Sequence, residues 1–181
     1  VEDMLAVVKH RLPGWKLRRR GRHAWNCFIV TAVRPSDDSV VVSTSSHPFP
    51  GSFSGRHVLT VRCNGWAVVN VHAESGGTRE QRAERMEQLE YMSRMHELEK
   101  GDVWVLAGDL NMRDGEDHCL LREGWRDVWT DVHGPVKRGE AAWTWKRGNN
   151  CGRFDRIYTR VLGGAAVECL RVERVSLHGV W

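Results

Sequence analysis

The chain has 181 residues, of which 41% are hydrophobic, so it can build one cored domain and is neither long enough for two ordinary domains nor polar enough to be disordered. Its five cysteines stand singly at positions 27, 63, 119, 151 and 169 with no CxxC pair, which argues against structural zinc and a disulfide framework and suits a reduced intracellular protein. The net charge of +4 and a pI of about 9.0 suit a polyanionic partner, while no apolar run is long enough to span a bilayer and no secretory signal opens the chain.

Residues Val1 to Arg11 place Met4, Leu5, Val7 and Val8 among polar residues and are followed by Pro13-Gly14, which reads as a helix with a stop signal. Trp15 to Arg20 reads as a short strand. Lys16, Arg18, Arg19, Arg20 and Arg22 make it either a phosphate-facing surface or a solvated basic face. Strand composition returns at Trp25 to Val33 and Val40 to Thr44, and the segment HPFPG at His47 to Gly51 is a turn-rich break. Val58 to Cys63 and Trp66 to His72 flank Asn64-Gly65, a strong signal for a hairpin with a type I′ turn. Thr78 and Gln81 have capping-box spacing, and Ala83, Met86, Leu89, Met92 and Met95 supply the apolar stripe of a helix that Gly101 ends. Val103 to Ala107 is apolar throughout, as a strand buried on both faces requires. Further strands are expected at Arg153 to Val161 and Val167 to Val175. Many strands with few helices indicate an α+β sandwich rather than a doubly wound parallel sheet.

Three segments carry candidate chemistry. GDLNMRD, Gly108 to Asp114, directly follows the buried strand. Asp109 could accept a proton from water or help to hold a hard cation, Asn111 could orient that water or a phosphate oxygen, and Arg113 adds a fixed cation. The same residues would also suit a plain Asp/Asn turn after a strand. In NVHAES, Asn70, His72 and Glu74 alternate and so share a strand face, where His72 could polarise a phosphoryl group or be structural. In RFDRIY, Asp155 is an acid inside a strand pattern and is either functional or paired with Arg153 or Arg156.

Taken together, GDLNMRD, HAES, ERMEQL at Glu84 to Leu89, RFDRIY and the aromatic-Thr-Trp run Trp143-Thr144-Trp145 resemble, in order and spacing, the motifs of the endonuclease/exonuclease/phosphatase superfamily and, within it, the tyrosyl-DNA phosphodiesterase 2 branch. The resemblance covers roughly residues 60 to 160 and implies a four-layer α/β/β/α sandwich of two mixed, mainly antiparallel sheets flanked by helices. It implies a Mg²⁺-dependent phosphodiesterase, with Mn²⁺ as the alternative ion. The implied partner is DNA, as a single-stranded 5′ end bearing a tyrosyl or protein adduct, and the implied setting is DNA repair in the nucleus or cytoplasm by a monomer. Other branches, whether nuclease, RNA deadenylase or phosphatase, are the alternative enzymes, and a catalytically dead nucleic-acid-binding module is the alternative of another class.

Carried over residue by residue, the resemblance implies that Asp109 positions or deprotonates the attacking water and could touch the metal. It implies that Asn111 contacts the phosphate and nucleophile, that His72 hydrogen-bonds a phosphate oxygen, and that Asp155 orients a C-terminal His. Arg113 is expected to steady phosphate, Trp145 to wall the DNA groove, and Ser75 to lie near substrate, with Glu74 either supporting the site or purely structural. The family's metal-binding L-Q-E and its S-D-H motif do not occur, and Lys146 stands where an acid follows the Trp. Residues 1–181 are therefore expected to form a single domain of this kind that is incomplete at both termini, lacking the first strand and C-terminal segment, with poor activity in isolation. His178 reads as surface or loop.

Overall fold

The elements of the computed structural model, which describes residues 2–20, 29–34, 42–52, 54–98, 101–136, 142–164, 166–167, 169 and 171–172, run in this order: α1 (Glu2–Arg11), β1 (Lys16–Arg20), β2 (Ile29–Val33), β3 (Val42–Pro48), β4 (His57–Cys63), β5 (Trp66–His72), α2 (Arg79–Ser93), α3 (Met95–Leu98), β6 (Val103–Asp109), α4 (His118–Arg122), β7 (Arg126–Asp127), α5 (Val128–His133), β8 (Trp145–Arg147), β9 (Asn150–Gly152) and β10 (Asp155–Val161).

Asn64 and Gly65 take positive φ (48° and 81°), as a two-residue type I′ turn demands, and fold β4 back onto β5 with Cys63 opposite Trp66. From β5 the chain crosses through α2 and α3 and returns as β6, parallel to β5, as a helical crossover permits. Strand β10 then pairs antiparallel on the far side of β6. The result is a six-stranded mixed sheet in the order β3-β4-β5-β6-β10-β7. Strands β1 and β2 form a second antiparallel pair packed on β4 and β5, and β8-β9 is a separate hairpin.

Alternation along β5 explains the layers. Ala67, Val69 and Val71 are buried with Leu89 and Met92 of α2, Trp104 and Leu106 of β6 and Leu120 of α4. Asn70, of opposite parity, points at the second sheet and donates to the Val30 carbonyl (2.8 Å) and Thr31 Oγ1 (3.1 Å). The alternation expected for Asn70 and His72 is present, but Asn70 pins one sheet to the other. The α+β sandwich class stands, with two strands of its second sheet among the described residues. No helix among them is long and apolar enough to cross a membrane.

Several boundaries differ from the sequence reading. Strand β3 runs through His47 and Pro48, which were expected in a break; it is the sheet edge, where the missing proline N–H costs no ladder bond. Helix α2 starts at the Thr78–Gln81 capping box but ends at Ser93, leaving Met95 in the short α3 and Gly101 beyond both. Ala83 is exposed, whereas Arg85 and Gln88 are buried on the core side of α2. The strand expected from Val167 lies mostly outside the described residues, and those described there form no strand. Residues 21–28 and 35–41, which take in the start of the strands expected from Trp25 and Val40, and the whole of 173–181, including His178, also lie outside them.

Candidate active site

Three strands of the main sheet end in one row. Across the parallel pair, His72 is the register partner of Asp109, and across the antiparallel pair Asp109 is the partner of Asp155. An imidazole and two carboxylates thus sit side by side on β5, β6 and β10. His72, Ser75, Asp109, Asn111, Arg113 and Trp145 are among the residues lining a cleft of about 990 Å³, whereas Asp155, though next to Asp109, is not part of that lining. The backbone of Gly108 turns its Cβ position toward the neighbouring strand β5. A Cβ at Gly108 would lie 2.1 Å from the Val71 carbonyl oxygen, and Gly108 has φ of 142°, so glycine is required one residue before Asp109.

Asn111 joins the row by a turn. Its φ is 49°, its N–H donates to Asp109 Oδ1 (3.0 Å), and its side-chain amide donates to the Ala73 carbonyl (3.1 Å). Asp109 and Asn111 come together through an Asp/Asn turn of the kind the sequence also suits, so a turn and a candidate site coincide. Asp155 is paired with neither neighbouring arginine. Arg153 forms a two-pronged pair with Asp127, and Arg156 bonds Asp117 (3.4 Å), leaving Asp155 exposed beside Asp109. Among the described residues no side chain bonds its carboxylate.

The electrostatics of the row are opposed. Burial lowers the His72 imidazole below its ordinary value, with the Arg56 charge acting the same way and Asp109, Glu74 and Asp155 acting against it. Burial raises the Asp109 carboxyl, and the Asp155 charge adds to this; the Asn111 N–H, His72 and Arg56 oppose it. An acid raised toward working pH and an imidazole kept neutral are the condition in which a carboxylate serves as a base and an imidazole as a hydrogen-bond donor. His72 Nε2 lies 3.6 Å from Asp109 Oδ2, and Arg56 Nη1 lies 2.7 Å from His72 Nδ1.

One wall of the cleft is aromatic and cationic. The Arg113 guanidinium lies 4.4 Å above the Phe154 ring, and Trp145 stacks on Phe154 at 5.5 Å and 30°. Thr144 fixes this wall, because its Oγ1 accepts from both Phe154 and Asp155 N–H (3.0 Å each) and its own N–H bonds Gly152. Lys146 leaves the cleft and places Nζ 5.5 Å from the Trp143 ring.

The ERMEQL stretch underlies the site. Arg85 clamps the Glu116 carboxylate with two bonds (2.9 and 3.0 Å) and donates to the Glu74 and Gly76 carbonyls, while Gln88 Oε1 accepts from Glu74 N–H (2.7 Å). Glu116 in turn accepts from the Arg113 N–H (2.8 Å). One helix therefore holds both loops that follow β5 and β6. Sequence reasoning missed Arg56, Phe154, Glu116 and these roles of Arg85 and Gln88. The spacing Arg85, Gln88, Leu89, Met92 marks one helix face and could have shown that polar side chains sit on its buried side.

A strand-end row of His and Asp residues beside a cleft whose lining includes Arg113 and Arg153, on a mixed sheet flanked by helices, gathers groups able to move a proton and to contact an anion. The chain belongs to the Endonuclease/Exonuclease/phosphatase family, whose model matches residues 7–174. Members of that family are hydrolases of phosphoester bonds and generally use divalent metal ions. No curated protein matches the chain. Among solved structures, truncated TDP2 from Caenorhabditis elegans is similar at TM-score 0.69 and 22% identity, over 88% of this chain and 66% of that one. TDP2 from D. rerio complexed with single strand DNA product is similar at 0.65 and 21%, over 92% and 70%. A mannosyl-6-phosphatase of Bacteroides thetaiotaomicron is similar at 0.61 and 16%, over 87% and 67%. The chain spans only 52% of a further C. elegans TDP2 structure. These likenesses establish the fold.

Proposed function

We propose that the protein hydrolyses phosphodiesters, with 5′-phosphotyrosyl linkages on single-stranded DNA ends as its substrates, in DNA repair. The observation that supports this reading most is the register row His72–Asp109–Asp155, of which His72 and Asp109 line the cleft. In this reading Asp109 takes a proton from the attacking water, and Asn111 holds the phosphate and that water. His72 donates to a non-bridging oxygen, and Asp155 completes the row as a second carboxylate beside Asp109. Arg113 offsets the charge that builds on the phosphate, Ser75 lines the approach, and Trp145 with Phe154 stacks a base. The phosphorus–oxygen bond to the tyrosyl group then breaks and the phenoxide departs. Because a phenoxide leaves more readily than an alkoxide, the site needs no strong general acid.

Hard oxygen donors suit Mg²⁺, or Mn²⁺ in its place, and Asp109 and Asp155 are of that kind. They are too few to cage an ion. Among the described residues the only group of three or more His, Cys, Asp or Glu ligand atoms in mutual reach is His96, Glu97 and Glu123, none of which lines this cleft. Asp109 is the donor assigned to the ion, which adds positive charge at the phosphate when bound, and the proton steps above belong to the chain's own residues.

The test is cleavage with protein in excess over substrate and Mg²⁺ present, so that slow turnover is readable. A 5′-phosphotyrosyl oligonucleotide is compared with an abasic duplex, poly(A) and a sugar phosphate. Preferential release of tyrosine supports the proposal. Preference for the sugar phosphate points to a phosphatase, and binding without any cleavage points to a nucleic-acid-binding module; either would overturn it.

A further inference from the structure

We propose that Arg56 is a positioning residue that locks His72 in the tautomer bearing its hydrogen on Nε2. A guanidinium has five N–H donors and no acceptor, so a contact of 2.7 Å between Arg56 Nη1 and His72 Nδ1 has only one polarity. The arginine donates, Nδ1 accepts with its lone pair, and the ring hydrogen sits on Nε2. That nitrogen faces Asp109 Oδ2 at 3.6 Å on the cleft side. The other tautomer would aim a lone pair at a carboxylate and an N–H at a cation.

Arg56 is itself held. Its side chain is 13% exposed, and its Nε lies 4.0 Å from Glu74 Oε2, an ionic contact longer than a hydrogen bond. Ser54 Oγ donates to the other Glu74 oxygen (3.1 Å), and Gln88 fixes the Glu74 backbone. On the main chain, Arg56 N–H bonds Ser52 Oγ (2.9 Å) and its carbonyl accepts from Phe49 (3.0 Å). Glu74 thus acts on the imidazole two residues before it through an arginine from the loop before β4, which explains a buried acid that makes no direct bond to His72. A phosphate oxygen entering the cleft meets a donor at His72, and the proton-accepting role falls to Asp109 alone. This last consequence rests on the phosphoester-hydrolase reading; the hydrogen bond does not.

The experiment is two-bond ¹⁵N–¹H correlation of the ¹⁵N-histidine-labelled chain at neutral pH, with His72→Gln identifying the His72 signals. The expected wild-type pattern is a protonated, pyrrole-like Nε2 and a bare, pyridine-like Nδ1. In Arg56→Met the two forms should mix or invert, and kcat should fall about 10- to 100-fold, as for loss of other partners that orient an imidazole. A wild-type His72 carrying its hydrogen on Nδ1, or an Arg56→Met spectrum identical to wild type, overturns the proposal. Should Arg56→Met not fold, ¹⁵N coupling across the Arg56–His72 hydrogen bond in the wild type decides: its presence supports the assignment and its absence refutes it. Failure to cleave any phosphoester with the Nε2–H pattern intact counts against the hydrolase reading and leaves the tautomer assignment standing.

Discussion

Arg85 and Glu116 form a buried two-bond ion pair, each side chain 1% exposed, that ties helix α2 to the loop carrying Arg113. Burial alone would raise the Glu116 carboxyl. The hydrogen bonds from Arg85 and the Arg113 N–H, with the charges of Arg85 and Arg82, more than offset it and hold the group below its ordinary value. A depressed carboxyl contributes stability that is complete above its unfolded value, about 4.3, and is lost as pH falls through the folded one. Urea unfolding should therefore show wild type losing stability on acidification in that range, with Glu116→Ala showing a flatter acid limb. At neutral pH Glu116→Ala should cost about 3–5 kcal/mol, because it leaves the buried Arg85 charge with carbonyl bonds but without its carboxylate. Equal acid limbs in the two proteins would refute this account of the pair.

Gly108→Ala is expected to damage the sheet where the site is built. The added Cβ would meet the Val71 carbonyl at 2.1 Å, and φ of 142° is poorly suited to alanine. Gly115→Ala is the matched control, since it also has positive φ (78°) but open space around its Cβ. Thermal unfolding should place the control about 1–2 kcal/mol below wild type, the usual cost of the left-handed region, and Gly108→Ala further down. A Gly108→Ala protein as stable as the control would show that a side chain at position 108 does not meet the Val71 carbonyl.

Trp145→Ala should weaken binding of single-stranded oligonucleotides by about 1–3 kcal/mol with little dependence on base, as loss of one stacking platform does. The indole is 41% exposed and stacks on Phe154, so its removal disturbs no core packing. Fluorescence anisotropy reads the affinity, and unchanged Kd would remove Trp145 from the binding surface.

Much of the fold was legible because its signals are local. The Asn64-Gly65 turn, the Thr78–Gln81 box and the apolar run Val103 to Ala107 each act through neighbours in the chain. The row of His72, Asp109 and Asp155 was legible as motifs, yet its geometry depends on the β5–β6 and β6–β10 registers, which set His72 against Asp109, 37 positions on, and Asp109 against Asp155, 46 positions on, and leave no local trace. Arg56 escaped notice for the same reason, lying sixteen residues before His72 in sequence. Ala83 failed as a core residue because periodicity counts apolar side chains, and here α2 turns polar Arg85 and Gln88 inward to hold loop carbonyls and N–H groups. Asp155 could not be separated from a structural Asp–Arg pair until Arg153 and Arg156 were seen bonding Asp127 and Asp117.

The most direct test of the catalytic row is Asp109→Asn, which keeps the size of the side chain and its capacity to accept from the Asn111 N–H while removing the base. Cleavage of a 5′-phosphotyrosyl oligonucleotide should be followed in a single turnover, alongside circular dichroism to establish that the variant is folded. A folded variant slowed by about 10²- to 10⁴-fold is the result expected for loss of a general base. A folded variant that cleaves at the wild-type rate would contradict the assignment of chemistry to this row.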